Sequence, residues 1–300
     1  MFLQQSPHPL ARNRNVSLYV WRDDLYSPAP GTALQGNKVR KLAPHLRGIA
    51  SLAEPPLVVS FGGAYSNHIS ALATAGRLYG FPVVLFVRGE EADNSLLRRV
   101  ERDGATLVKI SRTEYRRKTD PAWIAARTGE LAHRFGRPPE QIIVVPEGGT
   151  SPEAIASVGE LYQDIENALG SSPDYLCVSA GTGGTAAGLI AAAAVSVRVE
   201  VYPALKGGWM RGEIERLLPS PARCTWGCID DYHFGGYGRF PANWLVAQHG
   251  LAKTVRLHPT LPLLEPVYTA KLFAGVSDRI AQGLYSPGSS VVVVHTGGIY

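Results

Sequence analysis

The stretch Tyr175-Leu176-Cys177-Val178-Ser179-Ala180-Gly181-Thr182-Gly183-Gly184-Thr185 places a short apolar run directly before a glycine-rich turn. A strand buried in a parallel sheet reads as a continuous apolar run, and glycines before a helix expose backbone N–H groups to an anion. The stretch therefore predicts a strand over Tyr175–Ser179, a helix from about Gly184 and a phosphate-binding loop over Ser179–Thr185. The alternative is a glycine-rich turn that binds nothing.

Strands and helices alternate on both sides of this unit. The predicted strands are short apolar runs rich in branched residues: Leu18–Trp21, Leu57–Ser60, Val83–Val87, Thr106–Ile110, Gln141–Val145, Val197–Tyr202 and Ser290–Val294. The predicted helices are Asn67–Tyr79, Asp93–Asp103, Pro121–Phe135 and Ser151–Leu169, the last with Ser151 as N-cap and Pro152 at its first position. This alternation predicts an α/β fold whose parallel sheets are covered by helices on both faces.

The simplest division of these elements gives two doubly wound, three-layer αβα domains. Residues 1–42 together with 151–300 form the larger, cofactor-binding domain, and residues 43–150 form the smaller one. Loops at the carboxyl ends of the strands then face a cleft between the domains, where open α/β sheets bind ligands.

Composition limits the classes of partner. The net charge of +5 is mild, and the densest basic run, Arg112–Lys118, is interrupted by other residues, so neither a basic stripe nor a nucleic-acid-binding module is present. The first fifteen residues lack the apolar core of a signal peptide, and the apolar run Ala186–Val197 is too short to span a membrane. Cys224 and Cys228 lack a second pair for zinc, and Cys177 is expected in the core. We therefore expect a cytoplasmic protein without a metal, nucleic-acid or membrane partner.

A candidate nucleophile follows the first long strand, in the stretch Gln35-Gly36-Asn37-Lys38-Val39-Arg40-Lys41-Leu42. The Gly-Asn pair allows a sharp turn, and the amine of Lys38 is able to form a Schiff base with a carbonyl. The alternative is a plain turn into a basic helix, and Pro44 predicts that regular helix begins close to it.

The phosphate loop is neither of two common nucleotide loops. No Gly-Lys-Ser/Thr follows its glycines, which excludes an ATP-binding loop, and Glu200 lies within a strand, which weakens a dinucleotide interpretation.

Three further loops carry polar or aromatic side chains. Ser66 and Asn67 begin a helix, where they either cap it or grip a ligand, and the adjacent His68 is either a general base or a structural residue. Tyr237 and Tyr268 stand beside glycine or proline turns, where their hydroxyl groups suit a pocket wall. A lysine amine, a phosphate loop and polar loops around one cleft together suggest pyridoxal 5′-phosphate.

The chain from Tyr19 to Gly298 resembles the fold-type II pyridoxal-phosphate enzymes, in the family of 1-aminocyclopropane-1-carboxylate deaminase and D-cysteine desulfhydrase. The motifs that carry the resemblance, in chain order, are Trp21-Arg22-Asp23-Asp24-Leu25, Gly36-Asn37-Lys38-Val39-Arg40-Lys41-Leu42, Ser66-Asn67-His68, Gly181-Thr182-Gly183-Gly184-Thr185, Pro266-Val267-Tyr268-Thr269 and His295-Thr296-Gly297-Gly298.

The resemblance implies a role for each site residue. Lys38 holds the cofactor as a Schiff base and then shuttles protons, while Gly181, Thr182, Gly183, Gly184 and Thr185 hold its phosphate. Asn67 bonds the ring hydroxyl, and Ser66 bonds the substrate carboxylate. His68, Tyr237 and Tyr268 line the substrate side, where one tyrosine assists proton transfer.

Departures from the family pattern put the substrate in doubt. Tyr65 stands where the family usually has glutamine, Ala43 where an acidic residue is common, and Gln35 and Ala270 replace glycines. The chain also stops two residues after Gly298.

The residue expected to face the pyridine nitrogen selects the branch within the family. The resemblance implies that the deaminases have a glutamate directly after the tyrosine of Pro-Val-Tyr, where it bonds the pyridine nitrogen. This chain has Thr269 at that position and is expected to place Thr296 against the nitrogen instead. A hydroxyl stabilises a pyridinium less than a carboxylate does, so the ring is a weaker electron sink. A weak sink suits a substrate with a good leaving group on its β-carbon.

We therefore expect α,β-elimination from a small thiol amino acid, D-cysteine first, giving pyruvate, ammonia and sulfide. The alternatives are deamination of 1-aminocyclopropane-1-carboxylate and, in a different class, a catalytically idle protein that only binds the cofactor. A β-replacement synthase is disfavoured because Ser66-Asn67-His68 differs from the Ser-Gly-Asn loop of that branch. The resemblance also implies a homodimer.

Overall fold

The computed structural model describes the backbone of residues 1–249 and 252–299. It also describes the side chains of these residues, except those between 245 and 253. Its strands are β1 (Leu3–Gln5), β2 (Ser17–Arg22), β3 (Leu57–Gly63), β4 (Val83–Arg88), β5 (Thr106–Ile110), β6 (Ile142–Val144), β7 (Tyr175–Ala180), β8 (Arg198–Pro203), β9 (Thr225–Cys228), β10 (Leu245–His249), β11 (Ala252–Val255) and β12 (Ser290–His295). Its helices are α1 (Pro9–Asn13), α2 (Asn37–Ala50), α3 (Asn67–Tyr79), α4 (Ser95–Arg102), α5 (Arg112–Tyr115), α6 (Pro121–Phe135), α7 (Pro152–Leu169), α8 (Gly184–Ala192), α9 (Met210–Leu217) and α10 (Thr269–Ala281).

The larger sheet has the spatial order β1-β2-β12-β7-β8-β9. Successive side chains of a strand point to opposite faces, and β12 illustrates this. Val292 and Val294 pack into a core with helices α7, α8 and α9, whereas Val291 and Val293 pack into a core with α1 and α10. The sheet is therefore covered on both faces.

The smaller sheet has the order β5-β4-β3-β6, and all its pairs are parallel. Val58 and Leu85 pack with helices α2, α3 and α4 on one face. Val59 and Phe86 pack with α5 and α6 on the other face. Two three-layer αβα units confirm the predicted fold class. The domain limits at 42/43 and 150/151 stay a prediction, and α2 runs across the first of them.

The first and last residues of most predicted elements lie within three positions of the observed ones. The predicted bounds of α3, α6 and β5 match the structure at both ends. The expectation for Pro44 is wrong, because α2 begins seven residues earlier at Asn37 and contains the proline. A single proline removes only one helical N–H, and the buried Leu42 and Ile49 anchor both sides of it. Cys177 is fully buried, as predicted.

Antiparallel strands accompany the predicted parallel sheets. Edge strand β1 pairs antiparallel with β2, and β10 and β11 form an antiparallel hairpin. Strand β1 has only three residues, too few for an apolar pattern to stand out in the sequence. Among the helices of the described residues, none combines the length and apolar character needed to cross a membrane.

Candidate active site

A cavity of about 1320 Å³ lies between the two sheets. Residues that follow β3, β6, β7 and β12 line it, and they come from the carboxyl ends of these strands. In the smaller sheet β3 lies between β4 and β6, so the chain reverses its direction of winding there. The cavity therefore occupies the position where open α/β sheets bind ligands.

Lys38 lies at the start of α2, on the wall of this cavity. Gly36 precedes the helix with φ 62°, and a Cβ atom at this position would collide with the carbonyl oxygen of Thr296. The same carbonyl accepts a hydrogen bond of 3.2 Å from the N–H of Asn37. Glycine is required because the turn packs directly against the end of β12, and this packing fixes where Lys38 begins.

The amine of Lys38 has few partners. Its Nζ donates to Asn37 Oδ1 at 3.0 Å, and Asn37 Nδ2 donates to Thr185 Oγ1 at 2.9 Å. Burial lowers the pKa of Lys38 to about 8, although the negative charges of Glu265 and Asp23 act in the opposite direction. The lowered pKa increases the neutral fraction of the amine near neutral pH, and the neutral form is the one that acts as a nucleophile or proton acceptor.

A second lysine, which the sequence interpretation missed, lies at the phosphate loop. Lys41 is 1% exposed, and its Nζ lies 2.7 Å from Thr150 Oγ1 and 3.4 Å from Thr182 Oγ1. A Cβ atom at Gly184 would lie only 2.9 Å from this amine. The spacing of Lys38 and Lys41, three residues apart on a helix, was the available signal, because such residues share one face.

These groups fit a phosphate. The N-terminus of α8 begins at Gly184, where free backbone N–H groups favour an anion. Lys41 and the hydroxyl groups of Thr150 and Thr182 add three donor groups beside it. Burial and the charge of Lys38 lower the pKa of Lys41 well below its usual value, and a phosphate bound here would favour its charged form. The glycines keep the space clear of side chains, and Lys38 lines the same cavity. The residues present therefore fit pyridoxal phosphate, with Lys38 for its aldehyde and the α8 loop for its phosphate.

The predicted substrate-side residues also come together. Ser66, Asn67, His68, Tyr237 and Tyr268 all line the cavity, as do Gly181, Thr182, Gly183, Thr185 and Thr296. Gly184 forms the first residue of α8 behind them.

Ser66 occupies the N-cap position of α3, but its side chain makes no capping hydrogen bond. The capping explanation for Ser66 therefore lacks its defining contact. The first N–H groups of α3 and the Ser66 hydroxyl remain at the cavity, where together they suit a carboxylate.

His68 is buried in one definite tautomer. Ser60 Oγ donates its hydrogen to the Val145 carbonyl at 2.7 Å, so it accepts the 2.7 Å hydrogen bond from His68 Nε2. Nδ1 is therefore the unprotonated nitrogen, and it has no partner in the described structure. Burial, together with the nearby charges of Lys41 and Lys38, lowers the pKa of His68 well below its usual value. His68 is a neutral hydrogen-bond acceptor rather than a charged acid.

Tyr237 and Tyr268 form an aromatic pair on the substrate side. Their ring centroids are 6.3 Å apart in an edge-to-face arrangement, and their hydroxyl groups perturb each other's pKa. Tyr237 accepts a hydrogen bond of 3.2 Å from the N–H of Tyr65. Burial raises the pKa of both phenols, which keeps them protonated.

A threonine that follows β12 also lines the cavity. Thr296 lines it, whereas Thr269 is completely buried and exchanges hydrogen bonds with the backbone of Glu265. The Glu265 carboxylate accepts from the N–H groups of Val267, Tyr268 and Thr269. The carboxylates among the described lining residues are Glu147 and Glu213.

A two-sheet α/β fold with a buried lysine amine and a phosphate site in one cleft defines a pyridoxal-phosphate enzyme. The family described as pyridoxal-phosphate dependent enzyme matches residues 5–297, and this chain belongs to it. Its cofactor is therefore pyridoxal 5′-phosphate.

Two related proteins and one crystal structure show which members of the family this chain is similar to. A Pyrococcus abyssi protein with the provisional name 1-aminocyclopropane-1-carboxylate deaminase is 32% identical over 97% of this chain and 87% of its own length. A D-cysteine desulfhydrase of Klebsiella pneumoniae is 28% identical over 94% of this chain and 86% of its own length. The crystal structure of an ACC deaminase homologue superposes with a TM-score of 0.77 at 25% identity, covering 99% of this chain and 89% of that one.

Proposed function

We propose that this enzyme catalyses α,β-elimination from a small thiol amino acid, with D-cysteine favoured, to give pyruvate, ammonia and sulfide. The observation that supports it is the pair Thr296 and Thr269 at the end of β12 and the start of α10. Thr296 lines the cavity, and the Thr269 hydroxyl is occupied by the backbone of Glu265. In the described cavity wall, neither position supplies a carboxylate for a pyridine nitrogen.

When bound, pyridoxal phosphate withdraws electrons from the α-carbon of a substrate amine. A threonine hydroxyl at the ring nitrogen supports less positive charge there than a carboxylate would. Such a site favours a substrate whose β-carbon already carries a good leaving group. A thiolate meets this requirement better than the carbon–carbon bond of a cyclopropane.

The residues of the chain divide the remaining work. Lys38 accepts the α-proton, which its lowered pKa permits. Ser66 and the N-terminus of α3 hold the substrate carboxylate, and Asn67 bonds the cofactor's ring hydroxyl. Tyr237 or Tyr268 donates a proton as the thiolate leaves with the electron pair of its bond to the β-carbon. Water then converts the enamine product to pyruvate and ammonia.

Deamination of 1-aminocyclopropane-1-carboxylate is the second candidate. The name of the Pyrococcus abyssi relative favours it, and the Tyr237–Tyr268 pair supplies phenols that such a reaction can use. We further propose a homodimer in the cytoplasm, acting on a free amino acid.

The direct test is release of 2-oxo acid from a panel of D- and L-amino acids and 1-aminocyclopropane-1-carboxylate. We expect pyruvate and sulfide from D-cysteine at a higher kcat/KM than 2-oxobutanoate from the cyclopropane. The reverse order would overturn the choice of reaction.

The variant Thr296→Asp tests the reason for that choice. A carboxylate beside the ring nitrogen favours its protonated form, so α-proton exchange should rise relative to elimination. Deuterium exchange at the α-carbon and pyruvate release, measured by NMR on one sample, give the ratio. An unchanged ratio in a variant that still binds cofactor would show that Thr296 does not govern the branch.

A further inference from the structure

An arginine with no anionic partner stands on the small-domain wall of the cavity. Arg88 ends β4, where it lies opposite Gly63 in the register with β3. Its side chain is half-buried, and its Cζ atom lies 5.5 Å from the centre of the Tyr237 ring and 5.7 Å from that of Tyr115. Within residues 1–249 and 252–299, no carboxylate forms an ion pair with it.

The surrounding wall is also basic. Arg112, Arg116 and Lys118 line the same side, and the carboxylate among these neighbours is Glu147. Lys118 lies 3.4 Å from Glu147, which also accepts a hydrogen bond of 2.6 Å from the Tyr115 hydroxyl. Four cations and one carboxylate therefore line this part of the cavity, and a cleft lined mainly by one sign of charge concentrates ligands of the opposite sign.

The other anions of the proposed reaction already have binding groups. Lys41, Thr150, Thr182 and the N-terminus of α8 suit the cofactor phosphate, and the N-terminus of α3 suits the α-carboxylate. Arg88 lies beside the Tyr237 ring, at the strand position opposite Gly63, and is not among the groups that suit either of these anions. The guanidinium group of Arg88 therefore suits a third anion, because its planar donors match carboxylate and sulfonate oxygens.

We infer that the substrate carries a second negative charge, on the substituent of its β-carbon, and that Arg88 selects for it. This inference rests on the proposed β-elimination and narrows its substrate class to alanines with an anionic β-substituent: a thiolate, a carboxylate-bearing thioether or a sulfonate. When the bond from the β-carbon breaks, the electron pair leaves with that substituent, and a thiolate sulfur takes the proton that Tyr237 or Tyr268 donates and departs as hydrosulfide. The departing anion therefore forms beside a fixed cation. The α-proton goes to Lys38.

A matched ligand pair tests the charge without requiring turnover. Aspartate and asparagine have nearly the same size and no thiol leaving group, but only aspartate has a charged β-substituent. Their dissociation constants with the holoenzyme are read from the absorption change of the bound cofactor, for both D and L forms. We expect the preferred form of aspartate to bind roughly 10- to 100-fold more tightly than asparagine, the range for one charge-assisted hydrogen bond.

The variant Arg88→Met keeps an unbranched apolar side chain between the two tyrosine rings and removes the charge. We expect aspartate affinity to fall until the ratio is near one, with asparagine affinity unchanged. Arg134→Met, on the exposed part of α6, is the matched control and should leave the ratio unaltered. Equal affinities in the unmodified enzyme, no measurable aspartate binding, or an equal loss for both ligands in Arg88→Met would overturn the inference.

Failure of the proposed function gives a different result. If D-cysteine and the acidic analogues release no 2-oxo acid, the elimination proposal fails, whatever the binding ratio. If D-cysteine is consumed while aspartate and asparagine bind equally, only the assignment of Arg88 fails.

Discussion

Lys38 and Lys271 have pKa values lowered to about 8 by the same cause, burial, and yet they are suited to opposite tasks. Lys271, in α10, is 1% exposed, and its ammonium donates to the carbonyl oxygens of Ala204, His233 and Gly236 at 2.8–3.0 Å. Lys38 has one side-chain acceptor, Asn37, and lies on the cavity wall. A lowered pKa therefore does not identify a reactive lysine by itself.

The difference lies in the number and placement of the acceptors. Three carbonyls from two separate chain segments use every N–H of the Lys271 ammonium, so this group fastens the segments to α10. One segment continues directly into Tyr237, and α10 begins directly after Tyr268. Lys271 thus positions both tyrosines, whereas Lys38 can leave Asn37 and react.

The largest expected effect is the loss of turnover in Lys38→Ala. Removing the proton acceptor should lower kcat by at least about 10²- to 10⁴-fold, the usual contribution of general acid–base catalysis. Its unfolding midpoint should change little, since the Lys38 side chain makes a single hydrogen bond among the residues that the structure describes. Pyruvate release and a thermal melt on one preparation measure both, and retained turnover would place the reactive amine elsewhere.

Lys271→Met should have the reverse profile. It leaves three carbonyl oxygens without their donor in a buried place, and each unsatisfied group costs about 1–3 kcal/mol. Denaturant unfolding should show a clear loss of stability, with kcat reduced only as far as the tyrosines shift. The control is Lys206→Met, an exposed lysine beside Gly236. A fully stable Lys271→Met protein would contradict the positioning role.

Ser66 extends the contrast to helix N-caps. Ser66→Ala should reduce kcat/KM by a factor that corresponds to about 1.5–3 kcal/mol, the free energy of a hydrogen bond to a charged group. The stability of the fold should not change. Asp120 caps α6 through the N–H groups of Ala122 and Trp123, so Asp120→Ala should instead lower the unfolding midpoint and leave the kinetics unchanged. Thermal melts beside steady-state rates compare the two, and matching profiles would remove the distinction.

The last prediction concerns how the rate of cofactor uptake depends on pH. Below about 8, the neutral fraction of Lys38 rises tenfold per pH unit, and above this value it levels off. The rate at which apo protein takes up pyridoxal phosphate should follow the same curve when monitored by absorbance. A rate independent of pH between 6 and 9 would show that the amine of Lys38 does not titrate there.

Local patterns in the sequence predicted the elements and the loops that carry the site. Apolar runs located the central strands, and the glycines of residues 181–184 located the start of α8. Lys41, Arg88 and Lys271 were missed because their roles depend on distant partners. Lys41 reaches Thr150, 109 residues away, and Lys271 reaches Ala204, 67 residues away. Periodicity reports which face of an element is buried, but not which loops meet it.

Borohydride reduction of the holoenzyme followed by peptide mapping tests the central claim most directly. The reduction fixes the cofactor to the amine that holds it, so the pyridoxyl group should be found on Lys38. A label on Lys41, Lys206 or Lys271, or no label after reconstitution with pyridoxal phosphate, would contradict the assignment of Lys38.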